Sequence, residues 1–242
     1  MNETLHILNE RKSTRAFTER AIGKEEKDEI LKAAVMAPTA GNQQLYTILD
    51  ITDQTLKEKL VDTCDHQPFI AEGKMVLIFL ADCKKWYDAF LTGGAEPRKP
   101  GVGDLMLAVT DAAIAAENAV TAAESMGIGS CYIGDVMENC EAQRELLHLP
   151  EYVFPACMLV FGYPTESQIK REKPKRVEMR HIVHENTYRE MDADEVKEML
   201  EKKAVAIPYE EWLRRFCERK YNSAFSIEMS RSVGEYLESF KF

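Results

Sequence analysis

The chain has 242 residues, 45% of them apolar and 30% charged, and 41 acidic against 31 basic side chains give a formal net charge of −10. That length suits one substantial core with extensions better than two separate domains, and the balance is that of a globular protein. A net acidic surface repels phosphate backbones, which excludes nucleic acid as the main partner but not one small anion held by local charge.

The N-terminus, MNETLHILNERKSTR, has no apolar run behind a basic start, so no secretory leader is expected and the cytoplasm is the expected location. Leu5 and Leu8 at helical spacing predict a short helix over Thr4 to Glu10. Lys24 to Met36 predicts a second, with Ile30, Leu31, Ala33, Ala34 and Ala37 on its inner face and Pro38 as its stop. Leu45 to Ile51 reads as a strand, and Leu56 and Leu60 mark a helix between Asp53 and Cys64. Met75 to Ala81 (MVLIFLA) is a continuous apolar run, as in a strand buried on both faces, and Asp82 is placed to cap a following helix. Leu105 to Met126 predicts the longest helix, roughly 30 Å, apolar almost all round and so expected to be buried on most sides. Its Asp111, Glu117 and Glu124 would be costly at membrane depth, so no membrane association is expected. Ile128 to Ile133 and Ala156 to Phe161 are further strands. Strands alternating with helices predict an α/β or α+β layer fold.

The stretch from Tyr209 to Phe242 holds eight aromatic residues in a polar tail, and large rings need cover. Either the tail folds back on its own core or it lies on a partner subunit. Six cysteines, at 64, 83, 131, 140, 157 and 217, form no CxxC pair, which points to small buried side chains in a reducing compartment. No GxGxxG follows a strand, no phosphate-binding GxxxxGK[ST] occurs, and Gly129-Ser130-Cys131 is no nucleophile elbow. Hydrolysis driven by side chains has no positive support, and no metal site is expected.

Two basic islands stand out in the acidic chain. Arg11-Lys12-Ser13-Thr14-Arg15 is the first, where an extended backbone would turn residues 11, 13 and 15 to one side. The second, Lys170 to Arg180, sets six basic residues against Glu172 and Glu178. Arginine forks and lysine point charges suit a terminal phosphate, while the plain alternative is two solvated charged loops. Three polar turns accompany them: Pro38 to Gln44, Asp65-His66-Gln67-Pro68, and Tyr132-Ile133-Gly134-Asp135 at a strand end, where backbone N–H groups become free.

On these segments the chain resembles the FMN-dependent nitroreductases. ERKSTRAF resembles that family's N-terminal motif, AAVMAPTAGNQQLY its helix-to-loop signature, AAESMGIGSCYIGD its strand-loop beside the flavin, and KPKR followed by VHEN its late phosphate-binding stretch. The longer members that reduce flavins and nitroaromatics are the most similar group. The resemblance implies an α+β fold with a mainly antiparallel central sheet flanked by helices. It also implies an intertwined homodimer, with a flavin domain over 1–208 and a helical arm over 209–242 that wraps the partner.

By position, the resemblance implies that Arg11, Lys12 and Ser13 meet the phosphate and ribityl end, with Arg15 and Gln67 at the pyrimidine edge. It places Thr39 and Asn42 in the loop the partner subunit presents, and Ile133 and Gly134 with their backbone at the reactive side of the ring. Lys173 and Arg176 would close on the phosphate, and an extra residue relative to the family pattern leaves Lys175 as a rival for either role. Asp135 departs from the family, where a second glycine is common. FMN would carry the chemistry, with NADH or NADPH as co-substrate: hydride passes to flavin N5 and electrons then go to nitroaromatics, flavins or quinones in a ping-pong cycle, with no catalytic side chain. Enones and halogenated aromatics are alternative acceptors, and a non-enzymatic FMN-binding sensor is the competing class. Arg214, Arg215 and Arg219 could hold a 2′-phosphate or form a solvated helix face.

Overall fold

The computed structural model describes residues 2–241, so Phe242 of the aromatic tail lies outside the described residues. The chain divides into two compact units. The first runs to Arg171 and resumes at Glu228, and the second is Glu172–Ile227.

The first unit begins with α1 (Glu3–Glu10) and α2 (Lys24–Val35), followed by β1 (Tyr46–Asp50), α3 (Gln54–Thr63), the short α4 (Phe69–Glu72) and β2 (Met75–Asp82). Next come α5 (Lys84–Thr92), α6 (Val102–Ser125), β3 (Gly129–Ile133), α7 (Cys140–Leu147), β4 (Val153–Gly162) and α8 (Glu166–Lys170). The second unit carries α9 (Ala193–Glu201) and α10 (Tyr209–Lys220), and α11 (Ala224–Glu238) belongs to the first unit from Glu228 onward.

The strands form one sheet in the order β1-β2-β4-β3, every pair antiparallel. This is the α+β arrangement that the family resemblance implies, and it decides between the α/β and α+β readings that the element order left open. All eight residues of β2 are buried, and strand alternation divides them between two cores. Val76, Ile78 and Leu80 meet one cluster, which also takes Met158, Val160 and Cys131. Met75, Leu77 and Phe79 meet the other, built with Ile30 and Ala34 of α2 and the alanines of α6. Local signals set the boundaries: Asp53 accepts from Leu56 N–H to cap α3, and Asp82 Oδ1 accepts from Lys85 N–H at 3.2 Å at the start of α5.

Three features differ from the sequence reading. The alanine-rich helix α6 buries a single face, including Ala108, Asp111, Ala112, Ala115, Ala119 and Ala123, while Val102, Met106 and Leu107 stand 42–51% exposed. It is the one helix among the described residues long and apolar enough to cross a membrane, and its buried face packs on the sheet. The last strand starts at Val153, not Ala156, and so runs through Pro155. A register shift between Phe79 and Leu80 accommodates the missing proline N–H, the usual way a central strand tolerates proline. The aromatic tail divides: Tyr236 and Phe240 are buried in the first unit's core, whereas Tyr209, Trp212 and Phe216 stack along α10 in the second.

Candidate functional site

Residues 11–17 leave α1 in extended form and lie along the sheet. Ser13 bridges Ser130 of β3 and Phe17 bridges Pro164, and Thr14 N–H donates to the Ser130 carbonyl at 2.8 Å. The approach is close because β3 opens with Gly129, where a Cβ would stand 2.5 Å from Thr14 Oγ1. Alternation buries Thr14 and turns Arg11, Ser13 and Arg15 to the other side, as the motif spacing predicts. All three act on the same thiol. Burial raises the Cys131 pKa, and the Arg15 charge, a Ser13 hydrogen bond and the Arg11 charge pull it back.

Arg11 stands over the Tyr132 ring, 5.6 Å from its centroid. Its Nε and Nη2 are buried and have no hydrogen-bond partner among the described residues, and the same holds for Ser130 Oγ on the strand that Ser13 bridges. Buried donors of a cation are costly when left unpaired, so this spot fits an anionic oxygen ligand such as a phosphoryl group. Lys12 is engaged within the chain. Its ammonium donates to the carbonyls of Ile169 at 2.7 Å and Arg171 at 2.5 Å, while Arg171 donates to the Ser13 carbonyl and Gln168 accepts from Arg15 N–H at 3.2 Å. Lys12 therefore ties segment 168–171 to the motif, with its charge on carbonyl oxygens. Only membership of the basic island points to Arg171 in the sequence, and nothing there points to Gln168.

The loop after Pro38 is shaped by a residue whose only sign in the sequence is its cost at membrane depth. Asp111 of α6 is 3% exposed, and its carboxylate accepts from Thr39 Oγ1 at 2.6 Å, Ala40 N–H at 2.9 Å and Leu45 N–H at 3.2 Å. Thr39 Oγ1 also accepts from Gln44 N–H at 2.7 Å, so its hydroxyl is engaged within the loop. Gly41, Asn42 and Gln44 take left-handed backbone conformations, and Asn42 projects to the surface. The Gln43 carbonyl accepts from the Trp86 indole at 2.7 Å. Trp86, Tyr87 and Phe90 then wall a cleft of about 260 Å³ whose far side is Pro97, Arg98 and Asp104. That far side overlaps the segment between Gly93 and Gly103.

Ile133 is 2% exposed, its side chain in the core, and Gly134 follows in right-handed helical conformation. Gln67 lies in the turn after α3, where Asp65 and His66 are both left-handed. Its Nε2 donates to the Cys64 carbonyl at 3.1 Å and to Asp135 Oδ1 at 3.0 Å. The structure thus brings Gln67 and Asp135 together.

Glu138 completes this corner. It is 5% exposed and its Oε1 has no hydrogen-bond partner among the described residues. Burial first, then the nearby charges of Asp135, Asp65 and Glu228, push its carboxyl up to about 7 from 4.5. Between those values the folded chain keeps a proton that the unfolded chain has lost. Glu138 therefore favours folding at the acid end of the window, and that contribution disappears as pH rises through about 7. Glu138→Gln is expected to stabilise the protein by about 1–2 kcal/mol above pH ~7.5 and to have little effect near pH ~4.5. Thermal melts at the two pH values check it; equal effects at both would show that the carboxyl does not titrate in this window.

Lys173, Lys175 and Arg176 belong to the second unit. Lys175 and Arg176 line a cavity of about 130 Å³ there with His181, Lys202 and Lys203. Glu178 in its wall is held by Lys202 at 2.6 Å and Arg180 at 3.1 Å, which leaves the cavity rich in positive charge. On α10 Arg215 pairs with Glu211 and Arg219 lies over Phe216.

An antiparallel α+β layer with an extended arginine-bearing motif beside the third strand defines a class of proteins rather than one member. Residues 8–163 match the model of the nitroreductase family, and the chain belongs to that family. It is 30% identical over 240 residues to a Bacillus subtilis FMN reductase [NAD(P)H], covering 98% of this chain and 92% of that one. It is 34% identical over 197 residues to the oxygen-insensitive NADPH nitroreductase of Salmonella typhimurium, covering 79% of this chain and 77% of the relative. The solved structure of Bacillus megaterium NfrA2 superposes with a TM-score of 0.82 at 29% identity, over 100% of this chain and 98% of that one.

Proposed function

We propose that the protein is a homodimeric FMN-dependent oxidoreductase that takes reducing equivalents from NADH or NADPH and passes them to nitroaromatics, flavins or quinones. The observation that carries the reading is the Arg11 guanidinium, whose buried Nε and Nη2 have no hydrogen-bond partner among the described residues. FMN held there supplies hydride chemistry in both half-reactions of a ping-pong cycle. The protein's own residues bind and orient: Arg11 and Ser13 take the phosphate end, Lys12 fixes the motif, and Arg15 and Gln67 take the pyrimidine edge. Lys173, Lys175 and Arg176 are anion-binding residues of the second unit. The backbone of Ile133 and Gly134 borders the ring, and the aromatic cleft at Trp86 and Phe90 receives the electron acceptor. The six free thiols fit a reducing compartment, the cytoplasm.

The dimer is supported by apolar surface that the single chain leaves uncovered. Val102, Met106 and Leu107 of α6 and Leu5 and Leu8 of α1 are 42–51% exposed, and these two helices are in contact. Exposed apolar side chains of this kind are costly in water and are expected to be covered by a second copy. Thr39 and Asn42 then belong to a loop presented to the partner's flavin, and the arm over 209–242 reaches the partner through its exposed part, where Tyr221 is 76% exposed.

The test combines two measurements. Purified protein is expected to take up FMN in preference to FAD, to lose its yellow colour when NADH or NADPH is added without oxygen, and to sediment as a dimer. Bound FMN that stays oxidised under excess of both nicotinamides would falsify the enzymatic reading and favour a flavin-binding sensor.

A further inference from the structure

A primary amide offers two N–H donors on nitrogen and two lone pairs on oxygen. Both donors of Gln67 are engaged: the Cys64 carbonyl accepts one at 3.1 Å and Asp135 Oδ1 the other at 3.0 Å. Those two oxygens come from different elements, the C-terminal end of α3 and the turn that follows β3. A backbone carbonyl and a carboxylate can only accept, so the amide has one admissible orientation. Turning it over would set its own oxygen against two others. The amide oxygen, Oε1, is therefore the only polar atom the side chain still offers to a ligand.

The pyrimidine edge of a flavin presents carbonyl, N3–H and carbonyl in succession. An amide with a spare N–H could meet a carbonyl of that edge, whereas one restricted to its oxygen can only accept from N3–H. We propose that Asp135 is a positioning residue that engages the second N–H of Gln67 and so restricts it to accepting from the flavin N3–H. This rests on the flavin reading given above. It also carries an electrostatic consequence: a carboxylate tied to a residue at the ring's edge opposes the negative charge of a reduced flavin, against the favourable charge of Arg15.

The experiment titrates flavin-free protein with FMN and with 3-methyl-FMN, which lacks the N3–H donor, following flavin fluorescence. The parent, Asp135→Asn and Asp135→Gly are compared. The asparagine variant retains an oxygen to hold Gln67 but no charge, and the glycine variant frees the second N–H while the Cys64 carbonyl keeps the first. The parent and D135N are expected to prefer FMN by roughly tenfold or more, the scale of one lost hydrogen bond, and D135G by less than about threefold. A second readout separates charge from position. At about pH 8.5, where Glu138, pushed up to about 7, is ionised, the bound flavin's midpoint potential is expected to become less negative in both variants. A D135G protein as selective as the parent, or a parent with no preference, overturns the proposal. A parent that takes up neither flavin overturns the flavin reading, and this proposal falls with it.

Discussion

Replacing Asp111 with alanine is expected to destabilise the first unit by ~3–5 kcal/mol and to lower flavin retention with it. The carboxylate is 3% exposed and accepts three hydrogen bonds, from the Thr39 hydroxyl and from the N–H groups of Ala40 and Leu45. Alanine leaves those donors facing a gap on a helix lined by alanines, and each buried donor without an acceptor costs about 1–3 kcal/mol. The loop tip can let in some water, which keeps the total below the full sum. Asn42, at the left-handed turn beside these anchors, would lose its fixed position. Asp111→Asn is expected to cost less, ~1–2 kcal/mol, because one amide oxygen still accepts while the amide nitrogen meets a donor. Urea unfolding followed by far-ultraviolet circular dichroism checks both. A D111A midpoint equivalent to less than ~0.5 kcal/mol of change would mean that the loop is held by other contacts.

What makes the fold legible is patterning. The run Met75 to Ala81 has no polar interruption, and β2 is buried throughout. Lys24 onward repeats apolar residues at helical spacing up to Pro38, and α2 ends at Val35. The extended reading of residues 11, 13 and 15 likewise follows from the two-residue period, and all three approach Cys131.

The parts that escape the sequence depend on contacts distant along the chain. Asp111 reaches a loop 66 to 72 positions away, and a single carboxylate in an alanine helix carries no sign of its partners. Gln67 and Asp135 are 68 positions apart; each stands out in its own motif, but their pairing depends on how α3 packs against the turn after β3. Pro155 argues against a longer strand because proline cannot complete the ladder, and β4 nevertheless begins at Val153 with a bulge at the neighbouring Ala156. The aromatic tail leaves two destinations open because ring content shows that cover is needed without saying what provides it. Tyr236 and Phe240 find it in their own core. An ion cluster fixes that segment, since Arg231 holds Glu141 at 2.8 Å and Glu228 at 2.8 Å. Both carboxyls are pulled down to about 2, chiefly by their hydrogen bonds to Arg231.

Arg11→Ala is expected to weaken FMN binding by about 1.5–3 kcal/mol, roughly 10- to 150-fold, and to leave riboflavin binding nearly unchanged. The reasoning starts from the free protein. Nε and Nη2 of Arg11 are buried and have no hydrogen-bond partner among the described residues, so part of the desolvation cost of the guanidinium is already present before any ligand arrives. A phosphoryl group brings charged acceptors to those nitrogens, and hydrogen bonds between charged partners are the stronger kind. Riboflavin has the same ring and ribityl chain without the phosphate, so it separates the anion contact from any general damage to the pocket. Lysine at position 11 would restore the charge but not the fork, and is expected to recover only part of the affinity. The folding cost of the alanine variant should be small, since the substitution also removes unpaired buried donors. Equilibrium titration of the flavin-free parent, R11A and R11K with both flavins, alongside thermal melts, checks each part. If riboflavin binding fell as far as FMN binding in R11A, Arg11 would be acting through its contact with Tyr132 and the packing of the motif strand rather than through the phosphate.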